Sequence, residues 1–174
     1  MRQSNLRQTT DIIIAKLFTK SPWVLKLWAQ RAKFIEFYDS PWTPLTKETA
    51  HCRLALITTG GVHLKSNTPF DMNDPLGDPT YREIPYDAGL TDLIITHNYY
   101  DHRDADKDIN IVLPIQRVRE LAMAGDIGEV NYRHFAFMGH ISKHHINTLI
   151  QYSAPAVAAA LIKDSVDIVL LTPA

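Results

Sequence analysis

The sequence predicts an α/β domain with a mostly parallel sheet of at least four strands flanked by helices, preceded by an N-terminal helical arm. Three observations predict this class. Short apolar runs rich in β-branched residues recur along the chain, as in strands that are buried on both faces. Segments with helical periodicity lie between these runs. Polar loops follow the runs, as in folds that bind ligands at the carboxyl ends of their strands.

The length, charge balance and cysteine count are those of an ordinary globular protein. A chain of 174 residues can bury the core of one domain but is short for two. The balance of 18 basic and 19 acidic residues argues against a nucleic-acid-binding protein. The single cysteine excludes a disulfide framework and any zinc site with several cysteines within this chain. No apolar run reaches the roughly 20 residues of a membrane span, and we expect a cytoplasmic protein.

Residues 1–48 form a predicted basic helical arm and a proline-containing linker, and residues 49–174 form the predicted α/β domain. Ser21 and Pro22 are typical of a helix start, with serine as the cap and proline at the first helical position. The helix is expected to pack on the domain or on a second subunit. Contact with a membrane surface is the alternative, because tryptophans and cations share the segment. The predicted apolar stripe comprises Val24, Leu27, Trp28, Ile35 and Tyr38.

The first strand of the domain is predicted from Arg53 and runs into the paired glycines Gly60 and Gly61. Glycine permits positive φ and close approach of the backbone to a ligand. The hydroxyl of Thr59 and the two glycine amides are therefore predicted to hold an anion or carboxylate, with His63 nearby as a further substrate-binding residue. A tight turn without a ligand is the alternative.

Residues 65–89 contain four prolines and little apolar periodicity, which predicts a long loop that covers a site. Arg82 lies near its centre. Its guanidinium is predicted to bind a substrate carboxylate through two parallel hydrogen bonds. The alternative is an ion pair with Glu83 or with a nearby aspartate.

The segment 92–128 is the predicted centre of the chemistry. It begins with a strand at Leu93–Ile95, continues through a loop of histidines and aspartates, and ends with a helix between Pro114 and Gly125. Because histidines at a strand's carboxyl end can reach a substrate, we predict His97, Asp101 and His102 as acid–base residues. The predicted buried face of the helix comprises Ile115, Val118, Leu121 and Ala122.

The same loop offers candidate metal ligands. His97, His102, Asp104 and Asp106 mix imidazoles with carboxylates, but their spacing matches neither a zincin helix nor a calcium loop. We therefore assign no metal and favour a loop whose Asp and Asn side chains cap its own backbone amides. A second group of histidines is interpreted as a surface cap region, and Cys52 as an unreactive, half-buried thiol. That group comprises His140, His144 and His145.

Two further strands and a helical segment complete the predicted domain. Tyr132–Phe137 is a predicted strand closed by Gly139, and Val166–Pro173 is a predicted buried strand. Residues 142–163 are predicted to be helical, with a new helix or a kink at Pro155.

Several blocks occur together and in one order: TTGGVHLKSNTPFD, GDPTYREIP, HNYYDHRDADKDIN, FAFMGHI and DIVLLTP. They resemble the selenoprotein B component of glycine, sarcosine and betaine reductase and the related selenocysteine subunit of D-proline reductase. The resemblance covers about Arg53 to Pro173 and leaves out the N-terminal helices. The block that begins at His97 is its most specific part.

The resemblance implies a redox subunit that helps to cleave a carbon–nitrogen or similar carbon–heteroatom bond of an amino acid or its derivative. The electrons would come from a dithiol or a thioredoxin-type reductant. It implies a selenocysteine or cysteine immediately after Ala174, and we expect an in-frame UGA codon that is read as stop. This chain contains no cofactor of its own, would be inactive alone, and would join reductase subunits or a homo-oligomer. A separate pyruvoyl subunit is an implied partner.

Two other functions stay open from the residues alone. One is a metal-dependent enzyme that uses the loop from His97 to Asp108. The other is a small-molecule-binding protein without catalysis.

Overall fold

The computed structural model describes residues 13, 14, 17, 20–30, 38, 39 and 42–174. The chain divides into two compact units, one of Met1–Thr46 with Asn98–Asp101 and one of Lys47–His97 with His102–Ala174. In the described part of the chain, no helix is long and apolar enough to cross a membrane.

The smaller unit contains the helix α1, Pro22–Ala29, which begins where the sequence predicts. Trp23 on this helix is 71% exposed, and Leu27 is exposed as well. Of the predicted apolar stripe, Ile35 and the side chain of Trp28 lie outside the described residues.

The larger unit is built on a five-stranded sheet that confirms the α/β class. Its strands are β1 (Arg53–Thr58), β3 (Tyr81–Pro85), β5 (Glu129–Val130), β6 (Arg133–Phe137) and β7 (Ile168–Thr172). Strand β1 is at the centre and pairs in parallel with β5, β6 and β7, whereas β3 pairs antiparallel with β6 at one edge. The carboxyl ends of these four parallel strands therefore point to one edge of the sheet.

A histidine side chain bridges the gap between β5 and β6 on the same flank of β1. Residues 131 and 132 interrupt the pairing there, so the register with β1 moves from Leu54↔Val130 to Ile57↔Phe135. The Leu56 amide donates to Nδ1 of His134 at 3.1 Å. The fully buried imidazole thus replaces a missing ladder acceptor, as a buried amide requires.

The region 65–89 is not all loop, so that prediction was wrong. Tyr81–Pro85 forms β3 and pairs with β6 along its whole length. Only Ile84 of β3 is fully buried, because an edge strand exposes the rest of its side chains. The strand therefore lacks the apolar run by which its neighbours are recognised.

The strand at Leu93–Ile95 is present, but it does not belong to the parallel sheet as the sequence pattern suggests. This strand, β4, pairs antiparallel with β2 (Val62–Leu64) in a separate two-stranded sheet. Its side chains are only partly buried after Leu93. A short apolar run does not distinguish these two environments.

The helix positions agree with the sequence patterns, but the predicted buried face of the helix after Pro114 is only partly confirmed. Ile115 and Val118 are buried, whereas Leu121 is 42% exposed. The helix α2, Ile115–Ala124, has Pro114 at its N-cap and ends at Gly125 in the left-handed conformation. The later helical segment comprises α3 (His144–Thr148), a π-helical turn (Leu149–Ser153) and α4 (Ala154–Lys163). The π-turn lies directly before Pro155, whose ring removes a backbone donor. Val157 and Leu161 of α4 are buried against the sheet.

The last strand, β7, pairs only with β1 among the described residues. The sequence predicts a buried strand, but Val169, Leu170 and Leu171 are 38%, 40% and 65% exposed. Because alternate side chains of a strand point to opposite faces, both faces of β7 carry exposed apolar surface.

Candidate functional site

The carboxyl edge of the sheet brings together the segments that follow β1, β6 and β7. Directly after β1, the Thr59 amide donates to the Thr172 carbonyl at 3.2 Å, and the Gly61 amide donates to the Phe137 carbonyl at 2.9 Å. The three strand ends are thus hydrogen bonded to one another. This is the edge at which parallel α/β sheets place binding sites.

The last residue of the chain lies at this edge. The Ala174 amide donates to Oγ1 of Thr59 at 3.1 Å. Two residues earlier, the Thr172 hydroxyl donates to the Val112 carbonyl at 2.7 Å, in the segment before α2. Side-chain hydrogen bonds therefore hold the end of β7 against β1 and against the loop that contains the predicted chemistry.

The paired glycines do not form the open anion cradle that their sequence suggests. The Gly60 amide donates to Oγ1 of Thr58 at 3.0 Å, and the Gly61 amide donates to the Phe137 carbonyl. Gly61 has φ +68°, and a Cβ placed there would lie 2.6 Å from the Thr96 carbonyl oxygen and 3.1 Å from Cβ of His97. Glycine at this position thus permits the close approach of the segment that carries His97.

His97 lies next to the carboxyl edge and is almost fully buried, with 5% of its surface exposed. Burial, together with smaller contributions from nearby His140 and His102, lowers the pKa of its imidazole to about 4, and a hydrogen bond with the Met138 backbone opposes the shift. His97 is therefore neutral at pH 7, when an imidazole can both accept and donate a proton. Its neighbour His140 follows β6 and was not among the predicted site residues.

His102 is held by a carboxylate of its own loop. Nδ1 of His102 lies 2.8 Å from Oδ2 of Asp106, four residues further along the turn. The side chains of His102 and Asp106 are 28% and 49% exposed. The third predicted acid–base residue, Asp101, belongs to the smaller unit with residues 98–100.

Within the described residues, no three His, Cys, Asp or Glu side chains are grouped as metal ligands. Instead, Asp106 pairs with His102, and Asp104 pairs with Lys107 at 2.8 Å. Asp108 caps the short 3-10 helix Ile109–Ile111 by accepting from the Asn110 amide. This is the self-capping loop that the sequence favours.

Two of the predicted substrate-binding residues are engaged within the protein. His63 is fully buried, and its ring nitrogens lie 2.8 Å from the Leu64 carbonyl and from the Thr96 hydroxyl. The Arg82 guanidinium holds the long loop in place, since it packs over the Phe70 ring at 4.4 Å and uses all of its nitrogens in hydrogen bonds. Its acceptors are Thr68 O, Pro69 O, Asp78 Oδ2, Thr80 Oγ1 and Tyr81 O.

A cleft of about 480 Å³ lies between β4 and the loop that follows His102. Its apolar lining includes Leu93 and Ile95, and its polar lining includes Lys65, Asp106 and Lys107. His97 and Ala174 lie outside this lining, so the cleft adjoins the histidine loop rather than the chain end.

A strongly shifted carboxylate among the described residues, Asp164, is at the opposite edge of the sheet. Asp164 is buried, and the Arg133 guanidinium holds its pKa well below the usual range through paired bonds of 2.7 and 2.9 Å. The Tyr132 hydroxyl donates to the same carboxylate at 2.6 Å. Because β6 begins at Arg133, this network fastens the amino edge and is structural.

The one cysteine is also far from the carboxyl edge. Cys52 precedes β1 and is fully buried, and its thiol donates to the Glu48 carbonyl at 3.3 Å. It is more buried than the half-buried thiol that we predicted.

The comparisons agree with the resemblance found in the sequence. The family model for glycine/sarcosine/betaine reductase selenoprotein B matches residues 10–174, so the match includes most of the N-terminal arm that the sequence blocks leave out. D-proline reductase subunit gamma of Acetoanaerobium sticklandii is 37% identical over 131 residues, which are 75% of this chain and 52% of the relative. Glycine reductase complex component B subunit gamma of Carboxydothermus hydrogenoformans is 29% identical, over 95% of this chain and 37% of the relative. The chain thus spans about half or less of these relatives, and no solved structure matches it significantly.

Proposed function

The chain belongs to the glycine/sarcosine/betaine reductase selenoprotein B family, and from this membership we propose that it is the redox subunit of a reductase. The proposed reaction cleaves a carbon–nitrogen or similar carbon–heteroatom bond of an amino acid or its derivative. In the net reaction the bond breaks, each fragment gains one proton, and one dithiol is oxidised to a disulfide. The dithiol thus supplies both electrons and both protons.

The observation that carries the proposal is the position of Ala174. Its amide donates a hydrogen bond to the Thr59 side chain at the carboxyl edge of the sheet. Two residues further along the chain, Gly61 leaves room for the close approach of His97. Catalytic groups of α/β proteins lie at this edge. The next residue after Ala174 would therefore stand among the side chains predicted to do chemistry.

We propose that this next residue is selenocysteine or cysteine. A selenolate or thiolate there would supply the nucleophile and the redox centre of the reaction. The surroundings fit such a group, because Thr59 holds the backbone on one side and the neutral His97 lies at the same edge. Cys52 does not fit this role, because it is buried at the other end of β1.

The protein's own residues would position the chain end and move protons. His97 and His102 are the proposed proton donors and acceptors, and the Thr59 hydroxyl is the proposed hydrogen-bond donor to the substrate or the redox residue. Asp101 stays a prediction from the sequence. We leave His63 and Arg82 out of the proposed substrate set, because their polar atoms already bond to the protein.

The proposed partners follow from this chemistry. They are a small amino-acid-like substrate, a dithiol or thioredoxin-type reductant, and further reductase subunits, including one with a pyruvoyl group for amino substrates. A cytoplasmic location is proposed, because dithiols are kept reduced there.

The test begins with the codons after position 174. We expect an in-frame codon for selenocysteine or cysteine, followed by coding sequence that continues the likeness to the relatives. The protein completed by that sequence, with cysteine at the first added position, should consume a dithiol in the presence of substrate and its partner subunits. The matched control has serine at that position and should be inactive. Equal turnover in both forms, or the absence of such coding sequence, would refute the proposal.

The metal-dependent alternative has its own measurement. Elemental analysis of the purified protein should find no stoichiometric zinc, iron or manganese, because Asp104 and Asp106 are paired with Lys107 and His102. One equivalent of metal that is lost when His102 is replaced would favour the alternative.

A further inference from the structure

The strand β7 is an outermost strand of the sheet and carries exposed apolar side chains. Among the described residues it pairs with β1 alone, so its outer side presents unpaired backbone amides and carbonyls. Its sequence is IVLLT, without a charge or a proline. Val169, Leu170 and Leu171 are 38%, 40% and 65% exposed. A strand of this kind is a template for pairing with a further strand.

The outermost strand on the other side of the sheet, β3, is protected against such pairing. It carries Arg82 and Glu83, and it ends in Pro85, whose nitrogen has no hydrogen to donate. Charged side chains and proline are the usual means by which natural sheets prevent contact between outermost strands. The charge nearest to β7 is Asp167, which is turned toward β1 and accepts from the Arg53 amide at 2.9 Å. The sequence thus blocks one side of the sheet and leaves the other able to pair.

The order of side chains along β7 favours a second copy of the same strand as the partner. In an antiparallel pair centred on Leu170, this residue lies opposite Leu170 of the second copy, and directly opposite side chains share one face. Val169 then lies opposite Leu171 of the second copy, so the exposed apolar side chains meet one another. The pairing is limited to the five residues of β7, because Pro173 follows the strand and cannot donate to a ladder.

Exposed apolar side chains at both ends of β7 extend this surface. Ile162, 78% exposed, lies where α4 turns into β7, and its carbonyl accepts from the Ser165 amide. Ile111, 59% exposed, is next to Val112, whose carbonyl accepts from the Thr172 hydroxyl at the end of β7. In an antiparallel pair, the end near Ile111 in one copy meets the start near Ile162 in the other. Stable interfaces use about 20–30 residues a side, so the five residues of β7 need such neighbours.

We propose that the outer side of β7 is the interface of a homodimer, in which β7 pairs antiparallel with β7 of a second copy and the two sheets become one. Such an interface is isologous, because both copies contribute the same residues. The carboxyl ends of the two β7 strands then point in opposite directions, and the contact between Thr59 and Ala174 lies outside the paired residues in each copy. The inference does not depend on the proposed reaction.

The oligomeric state gives the first test, with the chain as it is. Sedimentation velocity at micromolar concentrations should show a dimer. Leu170→Lys places two like charges opposite each other at the centre of the contact, and the dissociation constant of the dimer should rise by roughly a hundredfold or more. Met123→Lys is the matched control and should leave the dimer intact, because Met123 is 79% exposed and belongs to α2. A monomeric unchanged protein, or equal effects of the two lysine variants, would overturn the inference.

Cysteine cross-linking tests the register of the two strands. Leu170→Cys should give a disulfide-linked dimer under mild oxidation, because directly opposite Cα atoms are about 4.5–5.5 Å apart and a disulfide spans roughly 4.4–6.8 Å. Val169→Cys or Leu171→Cys alone should not, since each residue is displaced from its own copy by about 7 Å along the strand. An equal mixture of these two variants should cross-link, because the two positions lie opposite each other. The native Cys52 is fully buried and stays unchanged.

The pattern of cross-links also separates a second copy from other occupants of this surface. Rapid cross-linking of Val169→Cys alone, or none of Leu170→Cys, would overturn the proposed pairing. The Leu170→Cys thiol could instead react freely in a monomeric chain and become shielded only in the protein completed after Ala174. That result would assign the surface to the added segment and would also overturn the homodimer.

Discussion

Replacement of Gly61 by alanine tests how tightly the strand ends are packed around His97. Gly61 has φ +68°, a conformation that costs an L-residue about 1–2 kcal/mol. The new Cβ would also lie 2.6 Å from the Thr96 carbonyl oxygen. Thr96 cannot move away freely, because its amide donates to the Gly61 carbonyl at 2.9 Å. Forcing extra volume into such a site costs about 1–3 kcal/mol more.

Gly125→Ala is the matched control. Gly125 has φ +83°, so alanine there meets the same backbone penalty, but no described atom lies within 4 Å of the added Cβ. Urea unfolding should therefore show a loss of about 1–2 kcal/mol for Gly125→Ala and a loss of about 2–5 kcal/mol for Gly61→Ala. The ring signals of His97 should move only in the Gly61 variant. Equal losses in the two variants, or unmoved His97 signals, would refute the packing argument.

Two further predictions concern acid stability and the long loop. His97 and His134 have pKa values lowered to about 4 by burial, so the unfolded chain binds their protons first and stability should fall as pH drops from about 6.5 to 4. Urea unfolding across this pH range measures the change in the free energy of unfolding. His97→Gln should make this free energy depend less steeply on pH, and an unchanged dependence would contradict the lowered pKa of His97. Arg82→Ala should speed proteolysis within residues 65–80, because it removes the hydrogen bonds that hold this loop. Arg117→Ala should not speed it, since Arg117 is exposed and pairs only with Glu120 in the described structure. Equal proteolysis rates for the two arginine variants would show that Arg82 does not hold the loop.

Much of the fold follows from local patterns in the sequence. The apolar runs of β1, β6 and β7 are recognisable because strands of a parallel sheet need apolar side chains on both faces. The helix α2 is recognisable because Pro114 and Gly125 mark its two ends. These features depend only on residues that are neighbours in the chain.

The two strands whose places in the fold were not predicted pair with strands that are distant in the chain. The strand β3 has an edge position, and its polar residues suit that position only because β6 lies beside it. The run Leu93–Ile95 has the composition of a buried parallel strand, but its partner is β2. No residue near either strand signals these pairings.

Part of the candidate site could be predicted from the sequence. The sequence identifies His97 and His102, because loop histidines after a strand are visible as such. It does not show that both glycine amides and the Arg82 guanidinium are used internally, since hydrogen-bond partners such as Phe137 and Thr68 come from other segments. His140 could have been found from its place directly after the FAFMG block, at the end of β6.

The central claim is that the chain end and His97 share one edge of the sheet. The most direct measurement attaches a spin label to a cysteine added after Ala174, in a Cys52→Ala background, and follows the ring signals of the histidines. His97 should be strongly broadened, whereas His51, at the other end of β1 and roughly 20 Å away along the strand, should stay sharp. A sharp His97 signal beside a broadened His51 would contradict the account.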